Sequence, residues 1–153
     1  MVQLLRDNRK GKTVKSFKEF DDRFGPAFKG MGFIGPEVKY FSNPKGWQAE
    51  YRLRAVKVIA DTDPSGIVAL YVVSTPEPPI AFPLSTLCTL VTGRDYSYRL
   101  TEEEEIEFLE DNFTSVERMI DVDNRLNTQK RIENFVDGYH QKKFPDAFRN
   151  GKR

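Results

Sequence analysis

A single cysteine, Cys88, leaves no partner for an intrachain disulfide and no second thiolate for a multi-cysteine metal site. A single histidine, His140, likewise excludes His-rich zinc centres. No apolar run approaches the roughly 18 to 20 residues that a membrane helix needs. The longest, Ile67 to Val73, is strand-sized. The opening Met1-Val-Gln-Leu-Leu-Arg6 turns charged after two leucines, without the apolar stretch of a signal peptide. Asn112-Phe113-Thr114 matches a glycosylation sequon that is idle without secretion. Excess charge of one sign is also missing, because the formal net charge is +1 and offers no global field to a polyanion. Together these absences lead to the expectation of a cytoplasmic (intracellular) protein without a membrane partner, or a virion protein if the chain is phage-encoded.

What is present describes one globular domain over 1–153, with 39% hydrophobic and 31% charged residues. The balanced charge is unevenly placed. Residues 1–18 carry Arg6, Arg9, Lys10, Lys12, Lys15 and Lys18 against Asp7, a sum of +5. From His140 onward, Lys142, Lys143, Arg149, Lys152 and Arg153 face only Asp146, a sum of +4. Between them, residues 101–111 hold seven carboxylates and no base. Basic tails over about 1–12 and 142–153 are therefore expected to contact something negative, whether nucleic acid, a protein or the chain's own acidic helix.

Periodicity supplies the elements. Phe17, Phe20 and Phe24 mark the buried stripe of a short helix over Thr13–Phe24, ending at Gly25-Pro26. Residues 25–47, rich in Gly and Pro and studded with Phe28, Phe33, Tyr40, Phe41 and Trp47, read as a long irregular segment. Glu50 to Ala60 alternates as a strand, but its apolar phase shifts from Tyr51, Leu53 and Ala55 to Val56, Val58 and Ala60, which predicts a bulge. Asp61 to Gly66 is a hairpin turn leading into the buried strand Ile67–Val73. Ile80–Phe82 reads as an edge strand limited by Pro83, and Leu84, Leu87, Cys88 and Val91 fit a helical stripe. Tyr96, Tyr98 and Leu100 alternate like another strand. Thr101 with Glu104 and Thr114 with Glu117 form two capping boxes, and a break is expected near Asn124 and Asn127. The fold class is therefore α+β: a small antiparallel β-sheet over about residues 48–100, packed against C-terminal helices, with a short N-terminal helix.

Catalytic signals are weak. Gly11-Lys12-Thr13 ends like a phosphate-binding loop, but Arg6 stands where the first glycine belongs and no strand precedes it. Asp61, Asp63, Ser65 and Gly66 open like a calcium loop, yet Val72 occupies the closing glutamate position, so the turn reading prevails. Glu37-Val38-Lys39 behind Asp21 and Asp22 is a faint version of a magnesium nuclease site, the basis of a disfavoured metal-dependent hydrolase reading. Cys88 lies on an apolar stripe as a core thiol and His140 in a basic turn, so no nucleophile–base pair is expected. No cofactor, metal or catalytic residue is implied.

Binding signals are stronger. Phe33, Phe41 and Trp47 are candidate partner-facing anchors, since aromatics dominate interface hot spots. The leading expectation is a non-enzymatic binding or assembly protein, a structural or adaptor component of a larger complex such as a phage virion, with a protein partner or a homo-oligomer. The alternative is a nucleic-acid-binding protein using Arg6, Arg9, Lys10, Lys12 and Lys15 with Arg52 and Arg54, whose neighbouring aromatics would stack on bases.

Overall fold

The structure is a computed structural model that describes residues 16–62, 65–93 and 100–143. Its elements are α1 (Phe17–Met31), β1 (Ile34–Ser42), β2 (Lys45–Leu53), β3 (Val56–Thr62), β4 (Val68–Ser74), β5 (Ile80–Pro83), α2 (Leu84–Thr92), α3 (Glu102–Met119) and α4 (Arg125–Lys143). The strands form one antiparallel sheet in the order β1-β2-β3-β4-β5, each paired with its neighbour in sequence. The α+β class is thus the observed one. The sheet, however, lies over residues 34–83 rather than 48–100. The strand expected around Tyr96 and Tyr98 falls outside the described residues, as do the basic segments before Ser16 and after Lys143.

Helix α1 starts as its sequence dictates. Ser16 accepts from the Glu19 N–H and Glu19 reaches back to the Ser16 N–H, closing a capping box. It does not stop at Gly25-Pro26. Phe28 extends the stripe of Phe20 and Phe24, and all three are buried. Burying a further phenyl ring offsets the hydrogen bond and sterics that proline costs inside a helix. The helix ends at Gly32, whose φ of 102° and N–H bonds to Lys29 and Phe28 form a left-handed cap.

The segment expected to be irregular is α1 followed by the β1–β2 hairpin. Its Gly-Pro and Asn-Pro punctuation sits at a bulge and a turn rather than in a loop. Gly35 has φ of 110°, and a Cβ there would lie 2.9 Å from the Glu50 carbonyl, so the bulge between Ile34 and Glu37 requires glycine.

The phase shift near residue 54 is a hairpin, not a bulge. Leu53 pairs with Val56 across two residues, and Arg54 takes φ of 54°. Reversing the chain returns both strands to the same face, so Tyr51, Leu53, Val56 and Val58 all point toward the core side. The β3–β4 hairpin over Asp61–Gly66 is as expected, although Asp63 and Pro64 fall outside the described residues.

One hydrophobic core joins that sheet face to the helices. Trp47, Ala49, Tyr51, Val58, Val72 and Phe82 from the strands meet Phe20, Phe24 and Phe28 of α1, Leu84, Leu87 and Cys88 of α2, and Ile106, Leu109 and Val116 of α3. Phe28 stacks on Tyr51 with ring centres 4.1 Å apart and a 12° interplanar angle. The Tyr51 hydroxyl donates to Asp21 Oδ1 at 3.1 Å. Burial, then the Asp21 carboxylate, push that phenol well above the ordinary tyrosine range.

Thr101 and Glu104 cap α3 as expected. The second capping box does not start a new helix, because Thr114 lies inside α3. The chain kinks two residues earlier, at Asn112, whose φ and ψ leave the helical region and whose side-chain amide donates to the Phe108 carbonyl at 2.9 Å. The true break precedes Arg125. There Asp121 Oδ1 accepts from the Asp123 and Asn124 N–H groups, ordering the turn into α4.

Candidate functional site

The two sheet edges differ. β5 has four residues and ends in Pro83, which suits a strand that accepts no further neighbour. β1 has nine residues, pairs with β2 alone among the described residues, and carries the largest exposed apolar side chains of the sheet. Ile34 is 70% exposed, Tyr40 71% and Phe41 45%. A long edge strand with exposed aromatics is a template for another strand, with main-chain bonds giving affinity and side chains giving selectivity.

Register places the side chains. Tyr40 lies across from Trp47 and Val38 from Ala49, on the core side of the sheet. Glu37, Lys39 and Phe41 point the other way, with Glu50, Gln48 and Gly46 as their partners. That second face is polar near β1. Arg52 lies 3.6 Å from Glu37 and 3.3 Å from Glu50, and Lys57 lies 3.5 Å from Glu50.

Of the three proposed anchors, only Phe41 is accessible. Phe33 and Trp47 are 5% and 4% exposed and belong to the core. Phe33 packs edge-on against Phe28 and Phe113, and Trp47 against Phe17 and Phe20. The Gly/Pro content of 25–47 reads as a loop, whereas β-pairing alternates Trp47, Ala49 and Tyr51 inward. Ile34 and Tyr40 were missed as surface residues. The signal was the alternation Glu37-Val-Lys-Tyr-Phe41, hidden between Gly35-Pro36 and Asn43-Pro44.

The described cations of the nucleic-acid alternative are engaged with carboxylates. Arg52 faces Glu37 and Glu50, while Arg54 makes a two-pronged contact with Glu117 at 2.8 and 3.0 Å. The latter holds the Glu117 carboxyl below its ordinary range. Arg6, Arg9, Lys10, Lys12 and Lys15 lie outside the described residues, as does the Gly11-Lys12-Thr13 motif.

The faint metal motif is dispersed. Asp21 serves Tyr51, Asp22 pairs with Lys18 at 2.8 Å, and Glu37 lies near Arg52. Among the described residues no group of three or more His, Cys, Asp or Glu could hold a metal ion. Cys88 is a core thiol, as expected. His140 falls within α4 rather than a turn, and its side chain lies outside the description. Among the described residues no helix is long and apolar enough to cross a membrane.

The acidic start of α3 has one unusual member. Glu104 is used by the cap and Glu103 pairs with Arg23, while Glu105 is half-buried. Burial, then repulsion from Glu102 and Glu104, push the Glu105 carboxyl up to about 8. Below its ordinary value of 4.5 the carboxyl is protonated in both the folded and unfolded states. Between 4.5 and about 8 only the folded state holds the proton, so stability falls as pH rises through that window. Glu105→Gln is expected to flatten this slope and raise stability at pH 8.5 by about 2 kcal/mol, the full shift being reduced by residual solvent contact. Urea denaturation at pH 5 and 8.5 checks it. Equal losses at both pH values would count against a buried, protonated carboxyl.

Comparison of the chain with protein-family models, with curated proteins and with solved structures gives no match.

Proposed function

We propose that this chain is a binding and assembly protein, a structural or adaptor component of a larger complex, and that it engages its partner along the β1 edge. The observation that carries this reading is the contrast between the two edges. One is four residues long and ends in proline, and the other runs unbroken from Glu37 to Ser42 beyond a bulge at Gly35-Pro36, with Ile34, Tyr40 and Phe41 exposed. Strand addition would partner the β1 backbone groups that face no other strand among the described residues and remove large apolar side chains from water.

The test is photocrosslinking in the cells that make the protein. Tyr40 is replaced by p-benzoylphenylalanine in the full chain, and Leu126, 68% exposed on α4, serves as the control position. A discrete adduct from position 40, absent from position 126, is expected. No adduct, or the same adducts from both positions, would sink the edge reading.

A further inference from the structure

We propose that the strand added to β1 belongs to a second copy of this chain, paired antiparallel about a two-fold axis through Val38. This rests on the edge reading above and adds the identity of the occupant.

The direction of the backbone groups comes first. The Trp47 N–H is turned away from β1 and donates to Thr62 Oγ1 at 2.9 Å, and the Thr62 hydroxyl donates to the Trp47 carbonyl at 3.2 Å. In an antiparallel sheet, alternate residues direct their N–H and C=O to opposite neighbours. Tyr40, across from Trp47, and Val38, across from Ala49, therefore direct theirs outward along the edge. Glu37, Lys39 and Phe41 bond toward β2. Because a peptide unit is planar and trans to its own carbonyl, the inward Glu37 N–H leaves the Pro36 carbonyl pointing outward.

The side chains then select one register. Glu37 and Lys39 are opposite charges two residues apart on the same face, with Val38 between them. Pairing about Val38 sets Glu37 of each copy directly across from Lys39 of the other, twice. An axis at Lys39 or at Glu37 would stack like charges, and an axis at Tyr40 would set Lys39 against Phe41. Parallel in-register pairing would put every charge on its own kind. Opposite charges directly across an antiparallel pair are favourable and like charges unfavourable. Beyond the bulge at Gly35-Pro36, the alternating charges make this edge complementary to itself.

The same register pairs four outward backbone donors with acceptors. Val38 exchanges two hydrogen bonds with its own copy, and each Tyr40 N–H meets a Pro36 carbonyl. Proline has no N–H to offer, so the Tyr40 carbonyl across from it is left to water at each end of the pairing. Tyr40, mostly in water in the single chain, comes to lie beside the second copy's Pro36.

The experiment is sedimentation velocity of the full chain across a concentration series, with E37K and K39E examined singly and mixed. Both side chains lie on the exposed strand, and unchanged circular dichroism confirms that the variants fold. The wild type is expected to form a dimer whose population rises with concentration. Each single variant sets lysine against lysine or glutamate against glutamate and is expected to weaken the dimer at least tenfold at low salt, the deficit shrinking as salt rises. An equimolar mixture of E37K and K39E restores every opposite-charge pair and is expected to form a heterodimer as tight as the wild type. A wild type that stays monomeric at every concentration, or dimers unaffected by either change, would overturn the proposal. The crosslink separates the two levels. A position-40 adduct at twice the chain's own mass supports self-pairing, and one at another mass keeps the edge reading while overturning self-pairing.

Discussion

Phe20→Ala is expected to lower the stability of this protein by about 3–5 kcal/mol, the range for truncating a fully buried phenylalanine. Phe20 has no solvent exposure, and its ring lies 5.1 to 6.5 Å from those of Phe24, Phe28, Trp47 and Tyr51. Removing it leaves a void between α1 and β2 that four rigid rings cannot close, so both the transfer energy and the lost contacts are forfeited. Phe20→Leu keeps most of the volume and is expected to cost about 1 kcal/mol. Trp47 is the only tryptophan, so tryptophan emission excited at the red edge, where the six tyrosines do not absorb, reports on this cluster. Urea unfolding followed by fluorescence should show a lower midpoint with an unchanged slope, together with a red-shifted native emission in the alanine variant. An unfolding free energy within about 1 kcal/mol of wild type would refute the placement of Phe20 at the centre of this aromatic cluster.

The second large effect is at Arg125, which is 5% exposed and opens α4. A cation at the first position of a helix meets the positive end of the helix dipole, so its local setting is unfavourable. Its reason is tertiary. The guanidinium donates to Ser74 Oγ at 3.2 Å, to the Pro76 carbonyl at 2.7 Å and, more weakly, to the Glu77 carbonyl at 3.4 Å. One side chain thus binds the end of β4 and the proline-rich connector to the helix layer. Arg125→Ala strands those acceptors and empties a packed site, for an expected loss of about 2–4 kcal/mol. Arg125→Lys retains the charge but not the planar fork, and is expected to recover less than half of the loss. Hydrogen exchange should show the Glu77 and Ile80 amides opening sooner in the alanine variant than amides in the β2–β3 hairpin. Uniform acceleration across the sheet would mean a global effect instead of a released connector.

These two residues also mark how far the sequence could be read. Phe20 was legible because i, i+3, i+7 periodicity is a local signal, and the capping box of Thr101 and Glu104 was legible for the same reason. Arg125 was not, because its partners are about 50 residues away and nothing around it differs from a surface arginine. The sheet was located but displaced. Gly35, Pro36 and Pro44 looked like loop punctuation, whereas the strand tolerates a bulge that only glycine fits and a proline on an outer edge. The turn at Arg54 lacks the glycine or asparagine that its positive φ favours, so in the sequence the chain reversal looks like a bulge. At the candidate site, Phe41 is accessible as its place among Gly and Pro suggests, while the burial of Phe33 and Trp47 depends on strand pairing that the Gly/Pro punctuation conceals.

The nearest-neighbour order of the strands has a kinetic consequence. Each pairing closes only a short loop, so little chain entropy separates one hairpin from the next, and the sheet can zip progressively as the chain leaves the ribosome. The contacts that span great sequence distance, such as Arg23 with Glu103 across 80 residues, form later, when the helices dock. The β1–β2 hairpin, whose partners lie within 20 residues of each other, is therefore expected to pair before those helices dock. If β1 accepts a second copy as proposed, the alternation of Glu37 and Lys39 would already specify the pairing before the helices cover the core.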